Sequence, residues 1–347
     1  MARADSLVIR VNLKTLLVVL VVTVPILLVD MFIVVDRSRD ALTSAVGGHL
    51  ETIAKAAAAE VSRWIYSSIA DGKLVAANPE VRSVVAEANK SYQGMSENAV
   101  QARLREIDQN WERPTVEPVV SRMLTNPASA YLRGFLAVKP SFKRLLVTDA
   151  RGATVAGSHK TIDYYQADED WWAAAFRGGR TGAVHIRDAR FDDITRTNFV
   201  GIVSPIVDES EGRVTGVVSA IVEIAALMPI IGQVRVGKTG EAILVKGDGT
   251  IIGTQNLELV MSRKAEELDL IREAGGAQRR SSGYVPGTLR GGARKFIGFA
   301  DVGLGPAFPG IQWTVIVSQD LDEATSPIAT INNRLLFTGF LAIFLIA

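Results

Sequence analysis

The sequence predicts an α+β protein: a long N-terminal helix, then two tandem modules of related plan, flanked by two transmembrane helices. Three observations predict this. Apolar residues recur at three- and four-residue intervals from Leu42 to Ile69. Strand-and-turn segments repeat at one offset of 97 residues. Nearly unbroken apolar runs occupy both ends of the chain. A length of 347 residues accommodates roughly two domains of ~150 residues each.

Composition narrows the function classes. The net charge of +1 gives nucleic-acid binding no electrostatic support. The absence of Cys removes disulfide frameworks, thiolate catalysis and cysteine-ligated zinc. His49, His159 and His185 lie far apart, without the spacing of a zinc site. The acids lack the order of a calcium loop, and no G-x-S-x-G nucleophile elbow occurs. No cofactor or metal is expected.

Residues 13–35 read LKTLLVVLVVTVPILLVDMFIVV, long enough to cross a bilayer, for which about 20 residues suffice. A secretory signal is the rival, but its apolar core would be shorter and would lead to a small-residue cleavage site. Arg3, Arg10 and Lys14 precede the run and Arg37 and Arg39 follow it. That modest bias places residues 1–12 in the cytoplasm. Residues 335–347 are again apolar and read as the truncated start of a second span, with a buried C-terminal helix as the alternative. The expectation is a multi-pass protein of the plasma membrane, with residues 36–334 outside the cytoplasm and an output region beyond residue 347.

Between the spans, Leu42, Val46, Leu50, Ile53, Ala57, Val61, Ile65 and Ile69 define a stalk helix over 36–72. The alanines of Lys55–Ala59 favour it, and Asp71-Gly72 is its expected stop. Val100, Leu104, Ile107 and Trp111 mark a second helix, and Pro114, Pro118 and Pro127 are expected to break up the region after it. The repeat then sets in. Leu145-Leu-Val-Thr-Asp-Ala-Arg-Gly152 is a strand and turn, matched by Leu244-Val-Lys-Gly-Asp-Gly249. Phe199-Val-Gly201 matches Phe296-Ile-Gly298, and Val217–Val222 matches Thr314–Gln319. The turn glycines suit tight hairpins because Gly tolerates positive φ. The modules are bounded at 73–231 and 232–319, with an exit helix over 320–334.

These segments resemble the double Cache extracellular sensor domain of bacterial transmembrane receptors, of the histidine kinase and chemoreceptor type. "VGKTGEAILVKGDGTIIGT" is similar to that family's glycine turn, strand and Asp-Gly turn, and "GIQWTVIVSQDLDEA" to its closing strand and exit helix. "YYQADEDWWAAAF" and "SPIVDESEGRVTGVVSAIVEI" resemble the pocket segment and last strands of the membrane-distal module. The resemblance implies two stacked PAS-like modules, a small-molecule pocket in the distal one, and a relay through the proximal one. It implies a homodimer along the N-terminal helix, for which the Leu42–Ile69 stripe is available unless it packs on its own modules. The output implied is a histidine kinase or chemoreceptor, with a cyclase or phosphatase as alternatives.

The polar-aromatic cluster around Tyr164, Tyr165, Asp168, Asp170, Trp171 and Trp172 is the candidate pocket. Carboxylates beside Trp and Tyr suit an amine through charge pairing and cation–π attraction. The competing reading has the tryptophans in a core and the acids capping a helix that starts near Trp171. Members that bind amino acids carry Arg where this chain has Glu169, which favours a cationic or neutral ligand. The family's layout adds Asp188, in "HIRDARFDD"; a solvated hairpin is the alternative for that stretch. Tyr131 and Arg133 are weaker candidates.

Gly232–Thr239 matches the phosphate-loop pattern G-x-x-x-x-G-K-[ST], so a membrane-anchored nucleotide hydrolase is a rival function. Its flanks speak against it. A phosphate loop needs a strand before it and a helix after it, whereas Ile224–Ile231 reads as a short helix and Ala242–Val245 as a strand.

Overall fold

A computed structural model describes the backbone of residues 13–179, 183–275 and 281–326. Helix α1 runs over Leu13–Ala77 with Pro25 inside it. It passes straight through the Asp71-Gly72 stop expected from the sequence. Gly72 lies against Ser204 and Ile202, where a Cβ would come within 3.0 Å of the serine oxygen, so tertiary packing outweighs the helix-breaking tendency of glycine. The helix ends at Asn78. The Asn78 side chain accepts hydrogen bonds from the amides of Glu80 (2.9 Å) and Val81 (3.3 Å) and thereby starts α2, Pro79–Lys90.

Helix α3 covers Glu97–Gln109, capped by Ser96. The prolines beyond it open helices instead of breaking them. Pro114 begins a 3-10 turn, Pro118 sits in the first turn of α4 (Glu117–Thr125), and Pro127 is the first residue of α5 (Pro127–Val138). A proline at a helix start sacrifices only an amide that would have no partner there.

Two antiparallel sheets complete the fold. The first holds β1 (Phe142–Asp149), β2 (Thr154–Gly157), β3 (His185–Asp192), β4 (Thr197–Asp208) and β5 (Arg213–Glu223), in the order β2-β1-β5-β4-β3. Helix α6 (Asp170–Phe176) lies between β2 and β3 in the chain. A 3-10 turn at Ile224–Leu227 and the one-turn α7 (Met228–Ile231) lead into the second sheet. That sheet holds β6 (Arg235–Val236), β7 (Gly240–Lys246), β8 (Ile251–Thr254), β9 (Ser282–Thr288), β10 (Arg294–Asp301) and β11 (Trp313–Asp320). Its order is β6-β7-β11-β10-β9, with β8 paired to β7 and α8 (Glu266–Glu273) between β8 and β9 in the chain.

The internal repeat is real but slips by one residue. Leu146 faces Ser219 across β1 and β5, and Ile243 faces Ile316 across β7 and β11, at the same 97-residue offset. The turn glycines also correspond, with φ of +82° at Gly152 and +88° at Gly249. The match of Phe199–Gly201 with Phe296–Gly298 fails. Gly201 faces Ile221, but the partner of Ser318 at the matching place is Ile297, not Gly298. A slip of one residue turns every side chain of a strand to the other face. Phe199 therefore lies on the face turned away from α1, whereas Phe296 joins the core against α1.

One continuous core joins α1 to both sheets. Leu50, Ala54, Val61 and Ile65 are completely buried in it, alongside Val200, Ile202, Val315 and Val317. The stripe that could have served as a dimer seam is spent on the chain's own sheets. On the opposite face of the second sheet, Leu268 and Ile271 of α8 cover Ile297, Phe299 and Ile316. The opposite face of the first sheet is only partly covered, by Trp171, Trp172 and Ala175 of α6.

Among the described residues no helix is long and apolar enough to cross a membrane, so the two flanking spans are not shown. The expected cytoplasmic residues 1–12, the exit helix beyond residue 326 and the start of the second span at 335–347 lie outside the described residues.

Candidate ligand-binding site

The uncovered part of the first sheet forms a cleft of about 320 Å³. Strand alternation builds its floor: Leu146, Phe199, Ser219 and Ile221 face the cleft, while Leu145, Val200, Ala220 and Val222 face α1. Trp171 of α6 forms one wall, and Arg187 and Arg190 of β3 form the other. Ile162 and Phe191, 67% and 45% exposed, stand at the mouth.

Arg187 is the most unusual group there. It lies opposite Gly201 on β4, where an added Cβ would come within 2.8 Å of the arginine Cδ. The missing side chain leaves a bed for the arginine stem. Its guanidinium carbon then sits 5.4 Å from the centre of the Trp171 ring and 5.3 Å from that of Phe199, within cation–π range. Among the described residues the buried Nε meets no hydrogen-bond partner. Burial, and then the charges of Arg190 and Arg144, lower the pKa of Arg187 to about 10, which leaves it cationic at neutral pH.

The other charges of the cleft are mostly paired. Arg144 bonds Asp192 at 2.7 Å, and Asp192 also accepts from the amide and hydroxyl of Thr195 at 3.0 and 2.7 Å. Burial pushes the Asp192 carboxyl up, but the Thr195 hydroxyl and Arg144 outweigh it and hold it below the usual range. Asp163 accepts from the Gln166 amide, and burial raises its carboxyl above the usual range. Among the described residues no group of three or more His, Asp or Glu is placed to hold a metal ion.

Of the residues singled out from the sequence, Trp171 lines the cleft. Trp172, beside it, stacks on Phe176 at 4.3 Å and donates from Nε1 to the Thr148 hydroxyl at 2.8 Å, so it belongs to the packing under α6. Tyr164 is buried 5.2 Å from Trp111 in a separate cluster, and the amides of Tyr164 and Tyr165 both donate to Asp108. Asp168 and Asp170 are exposed and do not line the cleft. Of the acids in this stretch, Asp163 and Glu169 line the cleft. The acids do not cap α6: the residue at its cap is Glu169, whose side chain makes no capping bond.

The family model of the Cache domain matches residues 38–328. The chain belongs to the Cache domain family. Two solved structures show how this Cache chain relates to known folds. The ligand-binding domain of the Campylobacter jejuni chemoreceptor Tlp3, solved with L-norvaline, is 12% identical, with a TM-score of 0.55 over 83% of this chain and 96% of that one. The ligand-binding domain of the Pseudomonas fluorescens chemoreceptor CtaA, solved with L-isoleucine, is 18% identical, with a TM-score of 0.51 over 83% and 98%. At such identities the likeness is one of fold. A comparison with curated proteins finds no match.

Asp188, expected from the family's layout near the ligand, faces away from the cleft of this Cache chain. It accepts from Nε1 of Trp313 at 2.8 Å and pairs with Lys246 Nζ at 3.2 Å. Both partners belong to the second sheet. Lys246 also donates to the carbonyl of Ala189 at 3.2 Å. Asp188 is thus a clasp between the modules, one residue along β3 from the cleft wall at Arg187.

The phosphate-loop look-alike of the Cache chain does hold an anion, but an internal one. The amides of Lys238 and Thr239 donate to the Glu323 carboxylate at 2.6 and 2.8 Å, joined by the Thr239 hydroxyl. Glu323 lies in the helical stretch 321–326 that leaves β11. The Thr239 hydroxyl, then the Lys238 and Thr239 amides, lower its carboxyl from 4.5 to about 2. A depressed carboxylate stabilises the fold above its ordinary pKa and loses that contribution as pH falls toward the depressed one. Glu323→Gln is therefore expected to melt below the wild type at pH 6, with the gap closing between pH 4.5 and 2. A gap of constant size across that window would show that the charge on Glu323 does not matter.

Proposed function

We propose that this chain is the sensing region of a transmembrane receptor, which binds a small molecule in the cleft of the first module and catalyses no reaction. The carrying observation is the contrast between two sheets of one plan. The second sheet is closed by α8, whereas the first keeps an open cleft beside an arginine whose buried Nε has no hydrogen-bond partner among the described residues. The related domains of Tlp3 and CtaA, solved with L-norvaline and L-isoleucine, support a small ligand. The N-terminal part of α1 presents Val21, Val22, Ile26, Val29 and Ile33 outward, and we place it in a plasma membrane with the modules on the outer side.

The signal would leave through the contacts between the modules. Ligand binding favours one arrangement of the modules only by its difference in affinity for two states, about 1.4 kcal/mol for each tenfold. The route proposed runs from β3 through the Asp188 clasp to the second sheet, then through Glu323 into the exit helix and an output of the kinase or chemoreceptor kind.

A thermal-shift series on the full chain tests this reading against amines, amino acids, carboxylates, purines and nucleotides. A ligand at a hundred times its Kd adds ~2.7 kcal/mol, a clear rise in melting temperature, and is recovered unchanged. A flat response to every small molecule, or turnover of ATP or GTP, would overturn it.

A further inference from the structure

The chemistry of the cleft names its ligand class. We propose that Arg187 binds the carboxylate of a small monocarboxylate whose apolar part lies against Ile162, Phe191 and Ile194 at the cleft mouth. The inference rests on the proposed sensor function and adds which charge the cleft recognises.

Arg187 is half-buried, and its Nε is fully buried. Buried polar groups are ordinarily hydrogen-bonded, and leaving one without a partner is costly. Arg187 is held between two rings over the bed left by Gly201, with Nε unpartnered among the described residues. An arginine fork matches a carboxylate with two parallel hydrogen bonds.

The second module is an internal control. Ser318 corresponds to Ile221 at the 97-residue offset, and Ile297 therefore stands where Gly201 does. The residue across from Gly201 is Arg187, and the residue across from Ile297 is Val285. The second module fills this place with an aliphatic pair packed beneath α8. The fold needs no arginine here, and the glycine that seats it is likewise particular to the first module.

The acids around the cleft speak against the other ligand charges. An ammonium would need an uncommitted buried acid. Asp192 is engaged by Arg144 and Thr195, Asp163 by Gln166, and Asp193 pairs with Arg196 at 3.7 Å. Glu169 is exposed at the start of α6. A dianion such as phosphate would meet these four carboxylates around the cleft, where Arg144 is held by Asp192 and Arg187 and the exposed Arg190 remain to offset them. A monoanion fits both constraints. The exposed Ile162 and Phe191 flanking the entrance give an apolar tail somewhere to lie.

Calorimetric titration of the full chain in detergent tests the proposal with matched probes: 4-methylpentanoate, leucine and isoamylamine share a branched tail but differ in charge, with acetate and inorganic phosphate as further arms. The expected result is binding of 4-methylpentanoate, with leucine no tighter and no response to isoamylamine or phosphate. Arg187→Met should weaken 4-methylpentanoate at least tenfold, in line with loss of a charge-assisted bidentate contact, and leave the ligand-free melting temperature near that of the wild type. Gly201→Ala supplies a second route, because its Cβ displaces the arginine stem. It should weaken binding in the wild-type background and add nothing in the Arg187→Met background. Isoamylamine binding, leucine binding without 4-methylpentanoate, or full affinity in Arg187→Met would overturn the assignment of Arg187 while leaving a ligand sensor standing. No binding by any of the probes would overturn the carboxylate assignment, and a flat thermal-shift series as well would take the sensor function with it.

Discussion

Gly298→Ala is expected to be among the most destabilising single substitutions in this chain. A Cβ at that position would lie 2.5 Å from the carbonyl carbon of Leu50 and 2.6 Å from the amide nitrogen of Glu51. Both are backbone atoms of α1, so no rotamer change relieves the clash. The helix has to move off β10, and Leu50, completely buried at that contact, moves with it. Overpacking of a well-packed core costs typically about 1–3 kcal/mol, and a clash against helix backbone belongs at the upper end, about 3 kcal/mol. Gly201→Ala is the matched control. Its near neighbours are the Cδ, Cβ and Cγ of the Arg187 side chain; Cδ and Cγ can swing into the cleft and the Cβ contact is relieved by a small shift of the edge strand β3, so a smaller loss of about 1 kcal/mol is expected. Urea denaturation of the two variants separates these cases. Equal stabilities would mean that α1 does not approach β10 as closely as described.

Asp188→Ala is the second large effect, and it acts between modules. It removes the acceptor of the Trp313 indole N–H and the counter-ion of Lys246, whose side chain is 17% exposed. Breaking a buried pair by deleting one partner costs ~3–5 kcal/mol. Asp188 itself is 31% exposed, and discounting for solvent screening brings the expected loss to about 2 kcal/mol. Asp188→Asn keeps an acceptor for Trp313 and should lose about 1 kcal/mol. Lys246→Met placed on Asp188→Ala should recover part of the loss, because it removes the stranded ammonium. Additive losses in that double variant would show that the two side chains do not interact.

The local elements were readable because they rest on short-range rules. The apolar spacing of α1, the strands on either side of Gly152 and Gly249, and the strand after Gly240 all follow from periodicity and turn chemistry. The errors arose where tertiary contacts decide. Gly72 is a helix breaker by propensity, but its lack of a side chain is what lets α1 continue along β4. Phe199 and Phe296 look equivalent in sequence, and a one-residue difference in strand pairing puts them on opposite faces.

The site was legible to a similar depth. Trp171 is legible because aromatic rings beside polar groups are what a small-ligand pocket needs. Its neighbours in sequence were selected with it, although helix geometry and the Asp108 bonds send Trp172, Tyr164 and Tyr165 into packing. Arg187 could not be found this way. An arginine in a charged hairpin is ordinary, and only the sheet shows that its guanidinium is stacked on two rings with its buried Nε unbonded, while every nearby acid but Glu169 is engaged. Asp188 was named for a position near ligand, yet alternation along β3 turns it to the opposite side. The phosphate-loop pattern did report an anion-binding turn, and Glu323, too distant in sequence to be noticed, fills it.

Arg187 and Asp188 are consecutive residues, so the cleft wall and the clasp stand about 3.8 Å apart along the chain. If the clasp carries the signal as proposed, the coupling between the two is reciprocal. Under the proposed function, whatever grips Trp313 and Lys246 more tightly would change the affinity of the cleft by the same factor that ligand changes the grip. A receptor built this way has a dose–response curve that belongs to the whole assembly: the same cleft, attached to a different output, would report a different concentration of the same molecule.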